Sequence, residues 1–392
     1  MIPAMQYEAV AANIAEVAEE FAGQRGERQQ RRALDPSDFD RLRDAGFLLS
    51  GVPASEGGLW EDAARSTRGI AALLRVLARG DASVALVSSM HPAVLAFWLA
   101  SPVADAPDDA AWQAQRGEVF ASARAGDWWG TITSEPGSGG DATRSSAIAR
   151  RDGQGRYLLS GQKHFGSGFG ISRYMITTAM PDHEDPNDGA ALFYIETRGH
   201  KWDGSDGMKL VAEWDGHGMT ATQSHAFQFT DMPAVRFAWQ KGTERIFQSA
   251  FGFVGCLFTA VIAGICDAAF ETARAQLGAK AVSLRNYERL EWTRAEMEYW
   301  LILQAYEGML RAVESAPAGG TPLGVLQGKV AVAELAETAM GRLCKVVGGG
   351  TFHRRSPFGH WFEDVRGLGF LRPPWGLAFD RLIAATTGAP PP

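Results

Sequence analysis

The chain changes character twice along its length, and these two changes constrain its fold more than any other feature. Residues 1–118 and 241–392 carry apolar side chains at helical spacing, whereas the stretch between them has short alternating runs separated by Gly, Pro and Asp. Because helices and strands are segregated and do not alternate, we predict an α+β protein. Its parts are an N-terminal helical domain (1–118), a central antiparallel β-barrel or sandwich (119–240) and a C-terminal four-helix bundle (241–392).

The same periodicities predict individual elements. N-terminal helices are expected over Tyr7–Phe21, Pro36–Phe47 and Ala63–Ala100. Strands are expected at Arg156–Ser160, Tyr174–Thr178, Ala191–Ile195 and His225–Phe229. C-terminal helices are expected over Ile246–Leu277, Leu284–Ser315, Leu326–Val347 and Gly376–Ala385.

One predicted helix contains a segment that is long enough to span a bilayer. Ile246–Cys266 carries no charged residue, although three glycines, Gln248 and Thr259 interrupt its apolar character. A helix that is apolar on all sides also occurs in the core of large proteins. We therefore expect a buried helix inside the bundle or at a subunit interface, with a membrane span as the alternative.

Charge and cysteine content disfavour several classes of function. The chain has 38 Lys and Arg against 45 Asp and Glu, a net charge of −7, and neither sign forms a long block. Nucleic acid is not an expected partner, because phosphate binding needs clustered basic side chains. The cysteines, Cys256, Cys266 and Cys344, lack metal-ligand spacing, so we expect reduced thiols and no metal site. The N-terminus lacks a signal-peptide pattern, and we expect a cytoplasmic protein.

Two glycine-rich motifs stand in the strand region. Thr131–Asp141 reads T-I-T-S-E-P-G-S-G-G-D, and Gly161–Gly168 reads G-Q-K-H-F-G-S-G. They resemble the T-E-P-G-x-G-S-D and G-x-K-x-W-I-T/S-x-G signatures of the acyl-CoA dehydrogenase superfamily. Gly46–Gly58, Trp214–Pro233 and Val346–Gly350 resemble three further motifs of that family, in the same order along the chain. The resemblance implies the acyl-CoA dehydrogenase fold and a flavoprotein.

By this resemblance the cofactor is FAD, with FMN as the alternative, held between the β-domain and the C-terminal bundle. Thr133 and Ser134 would contact the pyrimidine end of the flavin, Phe165 would lie against the ring, and Ser167 would hydrogen-bond near N5. Amides and hydroxyls of this kind can meet the charge that develops on a reduced flavin. The remaining cofactor contacts implied by the family motifs are Thr131, Arg285, Gly348 and Gly349.

The resemblance fails at the catalytic base. Most dehydrogenases of the family use a Glu eight residues beyond the Asp of an R-D-x-R motif to take the α-proton of the substrate. Here that motif reads E-D-V-R at Glu363–Arg366, and the position of the base is Arg372. The alternative base position, in Phe253–Ala263, contains no acid. The candidate catalytic residues are Arg372, His91 and His353.

Each of these three residues also has a structural interpretation. His91 can be a hydrogen-bonded core residue, and His353 can belong to a solvated turn. Arg372 can bind an anionic substrate group or form an ion pair at a subunit interface.

Three functions are compatible with this pattern. The Thr131–Asp141 signature favours dehydrogenation of an acyl thioester by hydride transfer to flavin N5. The missing Glu favours a monooxygenase that uses reduced flavin from a partner reductase, since such an enzyme needs no α-proton base; Phe165–Gly168 resembles the F-x-S-G of these enzymes. The third is a diverged flavoprotein whose acyl channel is filled by Arg372.

The expected partners follow from the same resemblance. They are a small-molecule substrate such as an acyl-CoA, and a flavin reductase or an electron-transfer flavoprotein. The apolar Ile246–Cys266 helix is expected to help build a homodimer or homotetramer. No nucleic acid or membrane is expected.

Overall fold

A computed structural model of the chain describes residues 4–101, 109–184, 189–239, 243–316 and 323–388. The predicted boundary between the β-domain and the bundle, at 240/241, lies outside these residues. The helices are α1 (Ala4–Gly23), α2 (Arg25–Arg28), α3 (Pro36–Asp44), α4 (Ala63–Gly80), α5 (Ala82–Leu99), α6 (Asp109–Arg124), α7 (Thr243–Leu277), α8 (Asn286–Glu314), α9 (Leu323–Val347), α10 (Pro357–Gly369) and α11 (Trp375–Thr387). The strands are β1 (Trp129–Thr131), β2 (Ile148–Arg151), β3 (Tyr157–Gly166), β4 (Tyr174–Pro181), β5 (Ala191–Glu196), β6 (Met208–Ala212) and β7 (His225–Arg236).

The N-terminal part is helical, as predicted, but its longest predicted helix is two helices. The chain breaks at Asp81, whose backbone is extended and whose side chain accepts a hydrogen bond from the Val84 N–H at 2.9 Å. An aspartate in this position caps the first turn of α5, so the break follows from a local signal that the long apolar run obscures. Helix α6 continues to Arg124, beyond the predicted boundary at residue 118.

The central part is a barrel. Strands β4, β2, β3, β7 and β5 pair in that order, and β5 pairs again with β4, which closes the ring; β1 and β6 add to β4 and β7. Leu159, Met175, Phe193 and Phe227 fill the interior and are fully buried. The four predicted strands lie at β3, β4, β5 and β7.

The barrel is mainly antiparallel, as predicted, and differs from the prediction at one strand. Strand β4 runs parallel to both β1 and β2, while the other pairs are antiparallel. Parallel neighbours need a crossover connection. Here the β2–β3 hairpin lies between β1 and β4 along the chain, and β4 re-enters the sheet in the direction of β1.

The C-terminal part is built around α7, which packs against α4, α5, α8 and α9. Helices α5 and α7 have the length and hydropathy of membrane spans, but 89% and 83% of their apolar windows are buried inside the protein. This matches the prediction of a core helix. Helix α10 is missing from the predicted elements; its three glycines lower its helix propensity, and packing against α7 and α9 compensates for this.

Candidate active site

The end of β1 carries two hydroxyls on one face. Ile132 is fully buried in the barrel core, so Thr131 and Thr133 point to the opposite side of the segment. The backbone oxygen of Ser134 accepts a hydrogen bond from the His164 N–H at 2.8 Å, which joins this segment to the end of β3. These contacts bring the two predicted flavin-binding motifs together.

Phe165 follows His164 at the end of β3. It has a φ of +58°, a value in the left-handed region that non-glycine residues rarely adopt. Its ring is 57% exposed and lies 6.1 Å from the Trp214 ring. The barrel end therefore presents an open aromatic face in a strained backbone conformation, a combination that occurs often at ligand sites.

A buried ion pair holds the two motifs in place. Lys163 donates to Glu135 and, at 2.6 Å, to the backbone oxygen of Thr178. The side chains of Lys163 and Glu135 are 0% and 2% exposed. Burial alone would raise the pKa of Glu135, but hydrogen bonds from Lys163, Ser145 and Ser146 outweigh it and lower the pKa to about 2. Both residues belong to the two motifs, but no local pattern in the sequence predicts that they pair.

Arg372 reaches the same hydroxyls from the loop between α10 and α11. Its Nη2 donates to Thr133 Oγ1 at 2.9 Å and to Thr131 Oγ1 at 3.3 Å. In the described ranges no carboxylate lies within ion-pair distance of Arg372. Burial lowers the pKa of Arg372 to about 10, so the guanidinium stays protonated at neutral pH. The predicted Arg372 thus brings an uncompensated positive charge to Thr131 and Thr133.

Lys329 on α9 fixes the loop that carries Arg372. Its Nζ is buried and donates to the backbone oxygens of Gly369 and Pro373 at 2.7 and 2.8 Å. It also lies 4.9 Å from the centre of the Trp375 ring, and burial lowers its pKa to about 8. The sequence signal for it is weak, a lysine among mostly apolar residues of a predicted helix, and its partners lie far along the chain.

Ser167, whose N–H donates to the Phe165 carbonyl at 3.0 Å, begins a line of hydroxyls. Its Oγ lies 2.8 Å from Ser224 Oγ, which lies 2.7 Å from Thr222 Oγ1, and Thr222 donates to the Met219 carbonyl at 2.8 Å. Ser167, Ser224 and Thr222 are all buried. Ser167 therefore lies at the barrel end, close in sequence and space to Phe165.

The loop that holds these hydroxyls is fastened to α10. The Met219 N–H donates to Asp364 Oδ1 at 2.6 Å, and Met219 has a φ of +51°. Asp364 is buried. Burial, with smaller contributions from Asp81 and Glu363, raises the pKa of Asp364 to about 7, and the Met219 hydrogen bond opposes this only in part.

Asp364→Asn will make the protein less sensitive to alkaline pH. A raised pKa in the folded state adds stability below the unfolded pKa of about 3.9, and that stability is lost as pH rises through about 7. The amide oxygen of Asn still accepts from Met219 but never ionises. The free energy of unfolding, measured with urea, should fall between about pH 5 and about pH 8 in the parent protein. In the variant we expect this fall to be smaller by about 1–3 kcal/mol. Glu334→Gln, which removes an exposed carboxylate on α9, is the control; an Asp364→Asn curve parallel to that of the parent would contradict the assignment.

The structure favours the core interpretation of His91 over the catalytic one. Its ring is fully buried, its Nε2 lies 3.1 Å from the Leu48 carbonyl, and its Nδ1 accepts from the Trp129 N–H at 3.2 Å. Both ring nitrogens are thus occupied by backbone groups. Burial lowers the pKa of His91 to about 3, so the imidazole stays neutral. His91 is a core residue that orients β1.

The other predicted residues lie on the surface. His353 is exposed after α9 and lines a surface cleft of about 730 Å³ with Gly26, Gln30, Phe352, Arg354 and Arg355. Gly348, with φ +95°, and Gly349 precede this turn. Arg285 is exposed at the start of α8, and its N–H donates to Glu288 Oε2 at 2.7 Å. Across the described ranges, no hydrogen bond or ring contact joins any of them to Thr131, Thr133 or Ser167.

The chain is similar to known proteins in sequence. Residues 130–232 match the family model of the acyl-CoA dehydrogenase middle domain. The 3-sulfinopropanoyl-CoA desulfinase of Advenella mimigardefordensis is 25% identical over 254 residues, 62% of this chain and 61% of the desulfinase. The short-chain specific acyl-CoA dehydrogenase of Megasphaera elsdenii is 26% identical over 223 residues, 55% of this chain and 53% of that enzyme. The alignments thus span less than two thirds of either relative.

Solved structures share the fold over nearly the whole chain. KijD3, in complex with FMN and a dTDP-linked sugar, has a TM-score of 0.80 and 20% identity, and covers 97% of this chain and 94% of its own. The methanesulfinate monooxygenase MsuC of Pseudomonas fluorescens has a TM-score of 0.76 and 21% identity, with 97% and 98% covered. Butyryl-CoA dehydrogenase of Megasphaera elsdenii has a TM-score of 0.77 and 18% identity, with 96% and 97% covered. Residues 130–232 are thus similar to the acyl-CoA dehydrogenase middle domain, and the chain has the fold of butyryl-CoA dehydrogenase and of the monooxygenase MsuC.

Proposed function

We propose that the protein is a flavin-dependent monooxygenase, which uses reduced flavin and oxygen to oxygenate a small molecule. One observation carries this choice: Arg372, and not a carboxylate, contacts Thr131 and Thr133 at the position where the family's dehydrogenases carry their base. A guanidinium with a pKa of about 10 is protonated at neutral pH and cannot take the α-proton of a thioester. Oxygenation by reduced flavin needs no such base.

The residues at the barrel end fit a flavin. Phe165 offers an exposed aromatic face at the end of β3, and the hydroxyls of Thr131 and Thr133, at the end of β1, and of Ser167, just after β3, belong to the two motifs that the Ser134–His164 hydrogen bond joins. A Cβ built on Gly137 or on Gly139 would meet no atom within 4 Å, so this turn leaves room for a ligand. Bound here, the flavin would supply the redox chemistry. The family resemblance favours FAD, and the complex of KijD3 with FMN makes FMN the alternative.

Arg372 fits an anionic substrate group. A half-buried cation without a carboxylate partner is well suited to a small oxyanion, which it can bind through two parallel hydrogen bonds. Two of the similar proteins carry a sulfinate in their names. We therefore propose a small organic acid, with sulfinates as the first class to screen, as the substrate.

The test of this function compares the two redox states of the flavin. The purified protein is titrated anaerobically with photoreduced FMN or FAD, and a panel of small organic acids is screened for oxygen-dependent product by mass spectrometry with ¹⁸O₂. We expect reduced flavin to bind and ¹⁸O to enter a product only when substrate, flavin and oxygen are all present. If the protein binds neither oxidised nor reduced flavin, the proposal is overturned.

Thioester dehydrogenation is the second candidate, favoured by the retained Thr131–Asp141 signature within the matched middle domain. It predicts that an acyl-CoA bleaches the bound oxidised flavin under anaerobic conditions. We expect no bleaching with acyl-CoAs of short, medium or long chain. Bleaching by any of them would replace the monooxygenase with the dehydrogenase.

We also propose that the protein is a cytoplasmic homo-oligomer that works with a flavin reductase; for the dehydrogenase, the redox partner would be an electron-transfer flavoprotein. Helix α8 supports self-association, because it exposes several large apolar side chains, between 41% and 62%: Tyr287, Leu290, Met297, Trp300 and Leu301. Phe352 is 94% exposed beside His353. A second copy of the chain would cover such surfaces and bring Arg285, Gly348 and Gly349 to a neighbouring flavin, as the family resemblance implies.

A further inference from the structure

The three hydroxyls of Ser167, Ser224 and Thr222, which we term the hydroxyl relay, end on a group that can only accept. Thr222 Oγ1 lies 2.8 Å from the Met219 carbonyl oxygen. A carbonyl has no proton to donate, so the hydrogen between these two oxygens belongs to Thr222. The same carbonyl also accepts from Trp214 Nε1 at 2.8 Å and from the Thr222 N–H at 3.1 Å, which holds it in place.

This end point fixes the direction of every proton in the relay. Thr222 has one hydroxyl proton, and it is committed to Met219. In the hydrogen bond of 2.7 Å between Thr222 and Ser224, Ser224 must therefore be the donor and Thr222 the acceptor. The Ser224 proton is then committed as well, and the contact of 2.8 Å between Ser167 and Ser224 must be donated by Ser167. At the open end of the relay, Ser167 therefore has lone pairs that can accept a hydrogen bond and no second proton to donate.

Burial keeps the relay in this state. Thr222 is fully buried, and Ser167 and Ser224 are 6% and 8% exposed, so exchange with bulk water is restricted. The backbone adds a further constraint, because the Gly168 N–H donates to the Thr222 carbonyl at 2.8 Å. Reversal would leave two oxygens, those of Thr222 and Met219, in close contact without a hydrogen between them, which is unfavourable.

We propose that the hydroxyl relay makes Ser167 a hydrogen-bond acceptor and thereby selects reduced flavin over oxidised flavin. The proposal rests on the proposed function, which brings a flavin to this site, and on the family resemblance, which implies that flavin N5 lies near Ser167. N5 of a reduced flavin carries a hydrogen and can donate to Ser167, whereas N5 of an oxidised flavin is an acceptor and needs a donor that the relay withholds. One hydrogen bond is gained in the first case, and two acceptors face each other in the second.

The expected effect is a difference in affinity between the redox states. A hydrogen bond gained in one state and denied in the other corresponds to about tenfold tighter binding of reduced flavin. By the thermodynamic cycle, the midpoint potential of the bound two-electron couple lies about 30 mV above that of the free flavin for each such factor of ten. Both quantities are measured without substrate or turnover.

Two variants release the relay at different points. Thr222→Val keeps the shape of the side chain but removes the anchor on Met219, so that Ser224 and Ser167 are free to reverse. Ser224→Ala frees the Ser167 proton directly. In both variants we expect the ratio of the dissociation constants of oxidised and reduced flavin to fall about tenfold, mainly through tighter binding of oxidised flavin. Dissociation constants come from anaerobic fluorescence titration, and potentials from dye-coupled reduction.

Thr220→Val is the matched control. Thr220 is a buried threonine of the same loop that donates to a backbone carbonyl, that of Arg31 at 3.0 Å, whereas the hydroxyl contacts of Ser224 are with Ser167 and Thr222. For this variant we expect the ratio of the dissociation constants of oxidised and reduced flavin to equal that of the parent protein. A parent protein that binds oxidised flavin as tightly as reduced flavin would overturn the relay without any variant. Absence of flavin binding in both states would instead overturn the proposed function, so the two failures are distinguishable.

Discussion

Lys163→Met will lower the free energy of unfolding by about 3–5 kcal/mol, because it leaves the Glu135 carboxylate buried without its cation. Lys163 is fully buried, and methionine has a similar length, so the change removes the charge and leaves no large cavity. Urea unfolding followed by tryptophan fluorescence measures the loss. Flavin binding at the barrel end should weaken as well, since this pair joins the two motifs that carry Thr133 and Ser167.

A surface pair on the same barrel provides the control. Arg150 on β2 pairs with Asp231 at 3.1 Å, with both side chains at least half exposed. Arg150→Met should cost less than about 1 kcal/mol, because water screens exposed ion pairs. The double variant Lys163→Met with Glu135→Gln should recover part of the loss, since it leaves no buried charge. Equal costs for Lys163→Met and Arg150→Met would refute the structural importance of the buried pair.

The same pair sets part of the acid sensitivity of the protein. The folded pKa of Glu135, about 2, lies below the ordinary value of a glutamate, so its contribution to stability is present above about pH 4.3. That contribution is lost as pH falls toward about 2. In Glu135→Gln the loss of stability on acidification should be smaller than in the parent protein.

The fold was accessible from the sequence because its signals are local. The alternation at Tyr174–Thr178 and at Ala191–Ile195 marks strands that the barrel contains, and helical spacing locates α7, α8 and α9. The motifs at Thr131–Asp141 and Gly161–Gly168 located the barrel end. Local signals failed where two of them compete, as at Asp81, where an N-cap interrupts an apolar run.

The contacts that organise the site were not accessible, because they join residues distant in sequence. Lys329 meets Gly369 and Pro373 on another element, and no periodicity in α9 points to a loop forty residues away. His91 illustrates the converse case. Its sequence neighbourhood suits either a core or a catalytic histidine, and only the carbonyl of Leu48 and the amide of Trp129 decide between them.

Arg372→Met will weaken the binding of small oxyanions to the flavin-loaded protein by about 10–100-fold. Charge-assisted hydrogen bonds contribute about 1.5–3 kcal/mol each, and methionine removes both the charge and the donors. Methanesulfinate is a suitable probe, and dimethyl sulfoxide is a neutral comparison of similar shape; both are titrated by calorimetry. We expect Arg372→Met to affect methanesulfinate only, and Arg372→Lys to lie between the parent protein and Arg372→Met, since an ammonium lacks the planar pair of donors.

Arg366→Met is the matched control for this series. Arg366 lies on α10 and pairs with Glu363 on the surface, so its loss should leave the affinity for methanesulfinate unchanged. If Arg372→Met binds methanesulfinate as tightly as the parent protein does, Arg372 does not bind the substrate anion.

Arg372→Glu separates the monooxygenase from a diverged dehydrogenase. It puts a carboxylate at the position where the family's dehydrogenases hold their base, next to Thr131 and Thr133. For a monooxygenase we expect lost affinity for oxyanions and no bleaching of oxidised flavin by acyl-CoA. For a diverged dehydrogenase the new base should restore slow anaerobic bleaching, because the missing proton acceptor is then the only defect. Bleaching in Arg372→Glu, with none in Arg372→Met, would show that the chain is a diverged dehydrogenase. It would also show that Arg372 is the reason why its dehydrogenase activity is lost.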